Sequence, residues 1–254
     1  MKDASKNHLL IFIKFLKKSE ENMIKFNLKE LRIKLDQMAE KIISRLKDRS
    51  RYSLNIKVYQ KNALPIRGRK NISFFEFSLE GLENYHASLG RYKFPDQYPI
   101  FHPRLLSKVK RETPASSIIK VKINLGKEII KFYLDSLKKF CPPGDNSAVY
   151  GETVYCDADI IELLNERINL GRFIAQIKLK NGLLLQGIKN RKQLEKRLRN
   201  LKREKEVIKK AKETAKKYTF PAKIAEEYFK WIIKETTKIE IEYLKKAYPQ
   251  ILLF

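Results

Sequence analysis

Apolar residues recur at helical spacing over most of this chain, and the strict alternation that marks half-buried strands is scarce. From Asn27 the sequence reads "NLKELRIKLDQMAEKIISRLKDRS", which puts Leu28, Leu31, Leu35, Met38, Ile42 and Leu46 on one face of a helix. Asn27 suits the cap, with Glu30 three residues on as in a capping box. The same spacing predicts helices over 71–92, 124–140, about 157–181, near 188–217 and 221–247, the last opened by Pro221. Residues 53–70 read as irregular, with Pro65 and Gly68 as breakers, and the stretch holding Pro95, Pro99, Pro103 and Pro114 suits loops and turns. No internal repeat or low-complexity linker divides the chain. The expectation is one all-α domain, a helical bundle.

With 254 residues and 43% apolar content, such a bundle can bury a substantial core. The 55 Lys and Arg against 29 Asp and Glu give a formal charge of +26, which raises the question of phosphate-bearing partners. The most basic stretch, 189–217, holds 14 Lys or Arg and 4 Glu. It lacks interleaved aromatics and matches no RNA- or DNA-binding module, so a solvated, Lys-rich surface is the favoured reading and nucleic-acid binding the alternative. Cys141 and Cys156 form no CxxC or Cys/His set, and three His in the whole chain disfavour a metal site. Reduced thiols in a cytoplasmic protein are expected. No apolar run reaches the ~18–20 residues that span a bilayer. "HLLIFIKFLKK" near the start is interrupted by Lys14 and lacks a small-residue cleavage site, so it reads as an amphipathic helix packing on the domain rather than a signal peptide or anchor.

Against this background, several polar residues fall on faces that should be apolar. In "NERINLGRFIAQIKLKNG" (165–182), Arg167 and Lys178 lie eleven residues apart and point nearly the same way as Gly171 and Ile174. Arg32 falls one turn after Leu28. Asn200 and Glu204 border the stripe Leu194, Leu198, Leu201, Ile208 and Ala211, and Thr236 and Glu240 align with Phe229, Ile233, Tyr243 and Leu244. Taken singly, each is ordinarily a snorkelling or boundary residue. Together they put three cations, an amide, a hydroxyl and two carboxyls in the interior of one bundle, where unpaired charge is very costly. A small, multiply anionic ligand is an economical compensation. Arg167 and Lys178 have Cα atoms about 16 Å apart at a helical rise, and Gly171 between them removes a side chain from the groove. The set contains no nucleophile–base pair and no metal cage, which suits binding, or a reaction needing only positioning and electrostatics.

At this point the chain resembles the eukaryote-type chorismate mutases, the helical enzymes of fungi and plants that often carry allosteric control. Four segments carry the resemblance, in order and spacing: "LKELRIKLDQMAEKIISRLKDRS", "FFEFSLEGLENYHASLGRYKFPDQYPIFHP", "INLGKEIIKFYLDSL…YGETVYCDADIIELLNERINLGRFIAQIKL" and "TTKIEIEYL". It implies rearrangement of chorismate to prephenate, on the route to phenylalanine and tyrosine, without a cofactor or metal. Carried over by motif, Arg32 and Arg167 grip the two substrate carboxylates with Thr236 assisting, and Lys178 and Glu240 hydrogen-bond the ether oxygen. Asn200 and Glu204 orient the ring hydroxyl and adjoining groups, and Ile174 lines the site. A non-catalytic relative that keeps the fold as a partner of another enzyme is a further alternative, which retention of all seven polar positions argues against.

The resemblance also implies a homodimer, one mutase domain over 25–247 with regulatory-type helices about 53–155 and catalytic helices about 27–50 and 157–247, an N-terminal helical extension (1–24) and a tail (248–254). In regulated relatives an aromatic amino acid binds between the second segment and the "YG" loop, at the dimer interface, on a Gly-Ser pair and neighbouring arginines. The corresponding residues here are Arg91, Gly151 and Glu152. One arginine is replaced by Gly90, and a carboxylate stands where the serine would be. Both changes disfavour an amino-acid carboxylate, so an unregulated or differently regulated enzyme is expected rather than one under feedback by tryptophan or tyrosine.

Overall fold

Asn27 has extended backbone and its side chain accepts the Glu30 amide at 2.8 Å, which starts helix α1 (Leu28–Arg49). The structure, a computed structural model, describes residues 27–112, 116, 118–182 and 187–249. Among the described residues, seven more helices follow: α2 (Phe74–Ser88), α3 (Gly126–Leu137), α4 (Tyr150–Asn169), α5 (Gly171–Lys180), α6 (Arg191–Leu198), α7 (Leu201–Lys217) and α8 (Ala222–Ala247). The reciprocal capping box is found at α2, where Ser73 and Glu76 exchange bonds. Among the described residues there is no strand, only an isolated bridge between Ile66 and Arg69.

Helices α4 and α8 are the buried spine. Helix α1 packs on α4 and α7, while α8 contacts α4, α5, α6 and α7. The core divides into two clusters. One gathers Ile42, Leu46, Phe75, Tyr133, Ile160, Ile161 and Phe229; the other gathers Leu31, Leu35, Phe173, Leu194, Leu198, Tyr243 and Leu244. No described helix is long and apolar enough to cross a membrane. The N-terminal segment 1–24, with its "HLLIFIKFLKK" stretch, lies outside the described residues, as does most of 248–254.

Three expectations need correction. The helix predicted over 157–181 starts earlier, at Tyr150, and pauses at Leu170, so "YGET" is the first turn of α4 rather than a loop. A short 3₁₀ turn, Ser147–Val149, feeds directly into it, its Ala148 amide capped by the Asn146 side chain. The helix predicted over 188–217 is two helices, because Arg199 and Asn200 are extended and Asn200 begins a new one. Gly171 does not open a groove. A Cβ there would sit 2.9 Å from the Thr236 carbonyl oxygen and 3.1 Å from Thr236 Cγ2, so the glycine lets α5 and α8 cross closely.

Candidate active site

Four chain segments, far apart in sequence, converge on one hollow. Helix α1 presents Arg32, and the last turn of α4 presents Arg167. Helix α5 contributes Ile174 and Lys178, one turn apart. The α6–α7 junction and the first turn of α7 contribute Asn200 and Glu204, and α8 contributes Thr236 and Glu240, again one turn apart. All eight line a single cavity of about 530 Å³, within the range of small-molecule sites.

Their burial is graded rather than uniformly interior. Arg167, Thr236 and Glu240 are 5%, 6% and 4% exposed and form the floor. Lys178, Ile174 and Glu204 are half-buried, while Arg32 and Asn200 stand exposed at the rim. The expectation that all seven polar groups are interior is corrected to this extent. The cause is visible at Asn200. Its side-chain oxygen accepts the Arg203 amide at 3.0 Å as the cap of α7, which holds it at a helix end and leaves its amide nitrogen as a donor for a ligand.

The floor is electrostatically unusual. Lys178 Nζ donates to the Leu198 carbonyl at 2.6 Å and to Glu240 Oε2 at 2.7 Å, which leaves one of its three donors for a ligand. Burial pushes the Glu240 carboxyl up to about 7 against the pull of Lys178, and Glu204 adds to the rise. Burial also brings the Arg167 guanidinium down to about 10, with Asp36 resisting and Arg203 reinforcing the shift, so it stays charged at neutral pH. Arg167 Nε and Thr236 Oγ1 are buried without a hydrogen-bond partner. Glu204 is gripped by Arg199 through both oxygens. Asp36, Arg197, Arg199 and Arg203 also line the cavity and were missed from sequence. Their only sequence signal is proximity: Asp36 follows Arg32 by one turn, and Arg203 lies within the Asn200–Glu204 turn.

The three candidate effector residues are not brought together within one chain. Arg91 donates to Glu166 at 3.0 Å and to Gln97 at 2.7 Å, near the end of α4. Gly151 and Glu152 are exposed at the start of α4, about 22 Å away along a helical rise. Among the described residues no group of three His, Cys, Asp or Glu side chains is placed to hold a metal ion.

A helical bundle whose cavity is floored by a buried guanidinium and a buried carboxyl of raised pKa defines a class of protein suited to small anionic molecules between its helices. Comparison with known proteins narrows the class. Residues 149–241 match the family described as chorismate mutase type II. The chorismate mutase of Schizosaccharomyces pombe is 27% identical over 246 residues, 87% of this chain and 96% of that protein. Chloroplastic chorismate mutase 1 of Arabidopsis thaliana is 30% identical over 166 residues, 64% of this chain and 48% of that protein. The chain thus spans about half the length of that chloroplastic relative and nearly all of the S. pombe one. Among solved structures, the chorismate mutase of Candida albicans in complex with L-Trp matches with a TM-score of 0.81 at 27% identity, covering 87% of this chain and 92% of that one. AtCM1 with tyrosine in its allosteric site matches at 0.79 and 26%, covering 88% and 97%. Residues 149–241 thus match the type II chorismate mutase family, and over most of its length the chain is similar in sequence and fold to eukaryote-type chorismate mutases.

Proposed function

We propose that this protein is a chorismate mutase that rearranges chorismate to prephenate. The observation that carries the reading is the single cavity shared by Arg32, Arg167, Lys178, Asn200, Glu204, Thr236 and Glu240. The reaction is unimolecular: the ether C–O bond breaks as a new C–C bond forms, with no covalent enzyme intermediate. Arg167 and Arg32 hold the two carboxylates apart, Thr236 assists beside Arg167, and Ile174 packs against the ring. This selects the compact conformer of a flexible substrate and removes part of the entropic barrier before the chemical step. Asn200 and Glu204 orient the ring hydroxyl.

As the ether bond lengthens, negative charge grows on its oxygen. Lys178, already anchored through two of its donors, offers the third to that oxygen in a water-poor site, and such a donor is typically worth about 3–4 kcal/mol. Glu240 contributes a second donor only when protonated, a state its burial favours. The test is loss of chorismate absorbance with formation of prephenate by the purified protein, repeated on Lys178→Ala. A wild-type protein that leaves chorismate untouched defeats the proposal.

The protein acts as a homodimer, in the cytoplasm, with residues 25–247 as one mutase domain. An exposed stripe on α2 supports the dimer: Phe77, Tyr85 and Leu89 follow one helical row, with open space over Gly81 between them, and Tyr155 on α4 is 62% exposed. Light scattering that returns the mass of a single chain refutes the dimer.

A further inference from the structure

We propose that Arg203 is an additional substrate-binding residue of this cavity, and that it exchanges the Asp36 carboxylate for a carboxylate of the bound dianion. Arg203 is in the first turn of α7, between Asn200 and Glu204, and its side chain crosses to α1, where Nη2 donates to Asp36 Oδ1 at 3.0 Å. Both side chains line the cavity with Arg167. Asp36 also borders a second cavity of about 470 Å³, lined by Arg167 and Lys210, and there its other oxygen accepts from Lys210 at 2.9 Å. The carboxylate of Asp36 is therefore divided between two cations on opposite sides of a partition.

That division makes the exchange cheap. If Arg203 turns to a ligand, Asp36 keeps Lys210 and is not stranded. The Asp36 side chain is 38% exposed, and an ion pair so wetted is weak and easily exchanged. A guanidinium–carboxylate pair formed further inside, beside the unpartnered Arg167 Nε, gains a charge-assisted and potentially bidentate contact. Arg203 is close enough to Arg167 to disfavour its charge, so the two guanidiniums repel one another, and an anion between them relieves the repulsion. Two other cavity cations are committed to fixed partners: Arg199 is held by Glu204, and Lys178 by Glu240 and a carbonyl. This assignment rests on the proposed function for the identity of the ligand.

The sign of the Asp36 effect separates substrate binding from a structural bridge. Initial rates on Arg203→Met should show KM raised about tenfold with kcat nearly unchanged, and Arg203→Lys should recover part of the loss. Asp36→Asn should lower KM about two- to threefold, because it frees Arg203. The double variant should match Arg203→Met. The dissociation constant of prephenate, which carries two carboxylates and is not consumed, is measured in parallel by calorimetry and should follow the same order. Asp36→Asn raising KM alongside Arg203→Met, or Arg203→Met leaving both constants unmoved, overturns the Arg203 assignment in an active enzyme. A wild type that binds prephenate with the expected variant pattern but leaves chorismate unchanged sinks the mutase activity and keeps the assignment. Failure to bind or turn over sinks both.

Discussion

Two arginines in this molecule are buried to nearly the same depth, and their surroundings could hardly differ more. Arg49, fully buried at the end of α1, reaches Asp157 at 2.7 Å, the backbone oxygens of Tyr52, Ser53 and Leu54, and the Tyr59 hydroxyl. Asp157 in turn accepts from Tyr59 and Tyr133. Burial alone works against the Arg49 charge, but Asp157 overrides it and holds the guanidinium above its ordinary pKa. Arg167 lies ten residues beyond Asp157 on the same helix, 5% exposed, with Nε unpartnered and its pKa displaced downward by burial. The first arginine is part of a closed polar network that fixes the fold. The second faces the cavity with its Nε unpartnered, as the proposed substrate-binding role requires.

The sharpest way to break this contrast is Arg49→Met. It strands Asp157 in the core and should cost about 3–5 kcal/mol in denaturant unfolding, with turnover per folded molecule preserved. Lys178→Ala should do the reverse, lowering kcat by about two to three decades at nearly unchanged melting temperature. Arg167→Ala should lower kcat/KM by about one to two decades while stability holds or rises, since an unpartnered buried charge is removed. A melting temperature that falls as far as that of Arg49→Met would erase the distinction.

Glu240 sharpens it through pH. Its carboxyl, raised to about 7, is a hydrogen-bond donor below that pH and loses the proton above it, so wild-type kcat should decline as pH climbs through neutrality. Glu240→Gln keeps a donor that does not titrate, and its profile should be flat over the same interval. Equal wild-type rates at about pH 5 and about pH 8 would contradict this role. The smallest effect expected is that of added tryptophan, tyrosine or phenylalanine on the initial rate. Arg91 is committed to Glu166, and Glu152 brings a carboxylate to the start of α4, so no change is expected.

The Arg49–Arg167 contrast also marks how far sequence carries. Arg49 follows Leu46 by three residues and so continues the stripe of α1, the same signal that singles out Arg167. Periodicity detects a cation on an apolar face; it is silent on whether a carboxylate 108 residues away will meet it. The helices themselves were legible because their apolar stripes are long and regular. The breaks were less so. The pause at Leu170 is marked only by the single Gly171 that follows it, and the extended Arg199 only by the Asn200 cap, signals that a helical pattern readily absorbs. Arg203 and Asp36 escaped because each, by itself, is an ordinary surface charge, and only the crossing of α7 over α1 makes them neighbours.

The tight crossing at Gly171 has a consequence for how the cavity tolerates change at a distance. The α5 backbone rests on Thr236, one turn before Glu240, so that point works as a fulcrum: even a single methyl group at 171 would lever α8 outward. The tip of that lever is the carboxyl opposite Lys178. A substitution that touches no ligand would thus be felt as a widened gap between Lys178 and Glu240, and the alignment of the cavity floor is set by the thickness of one helix-to-helix joint.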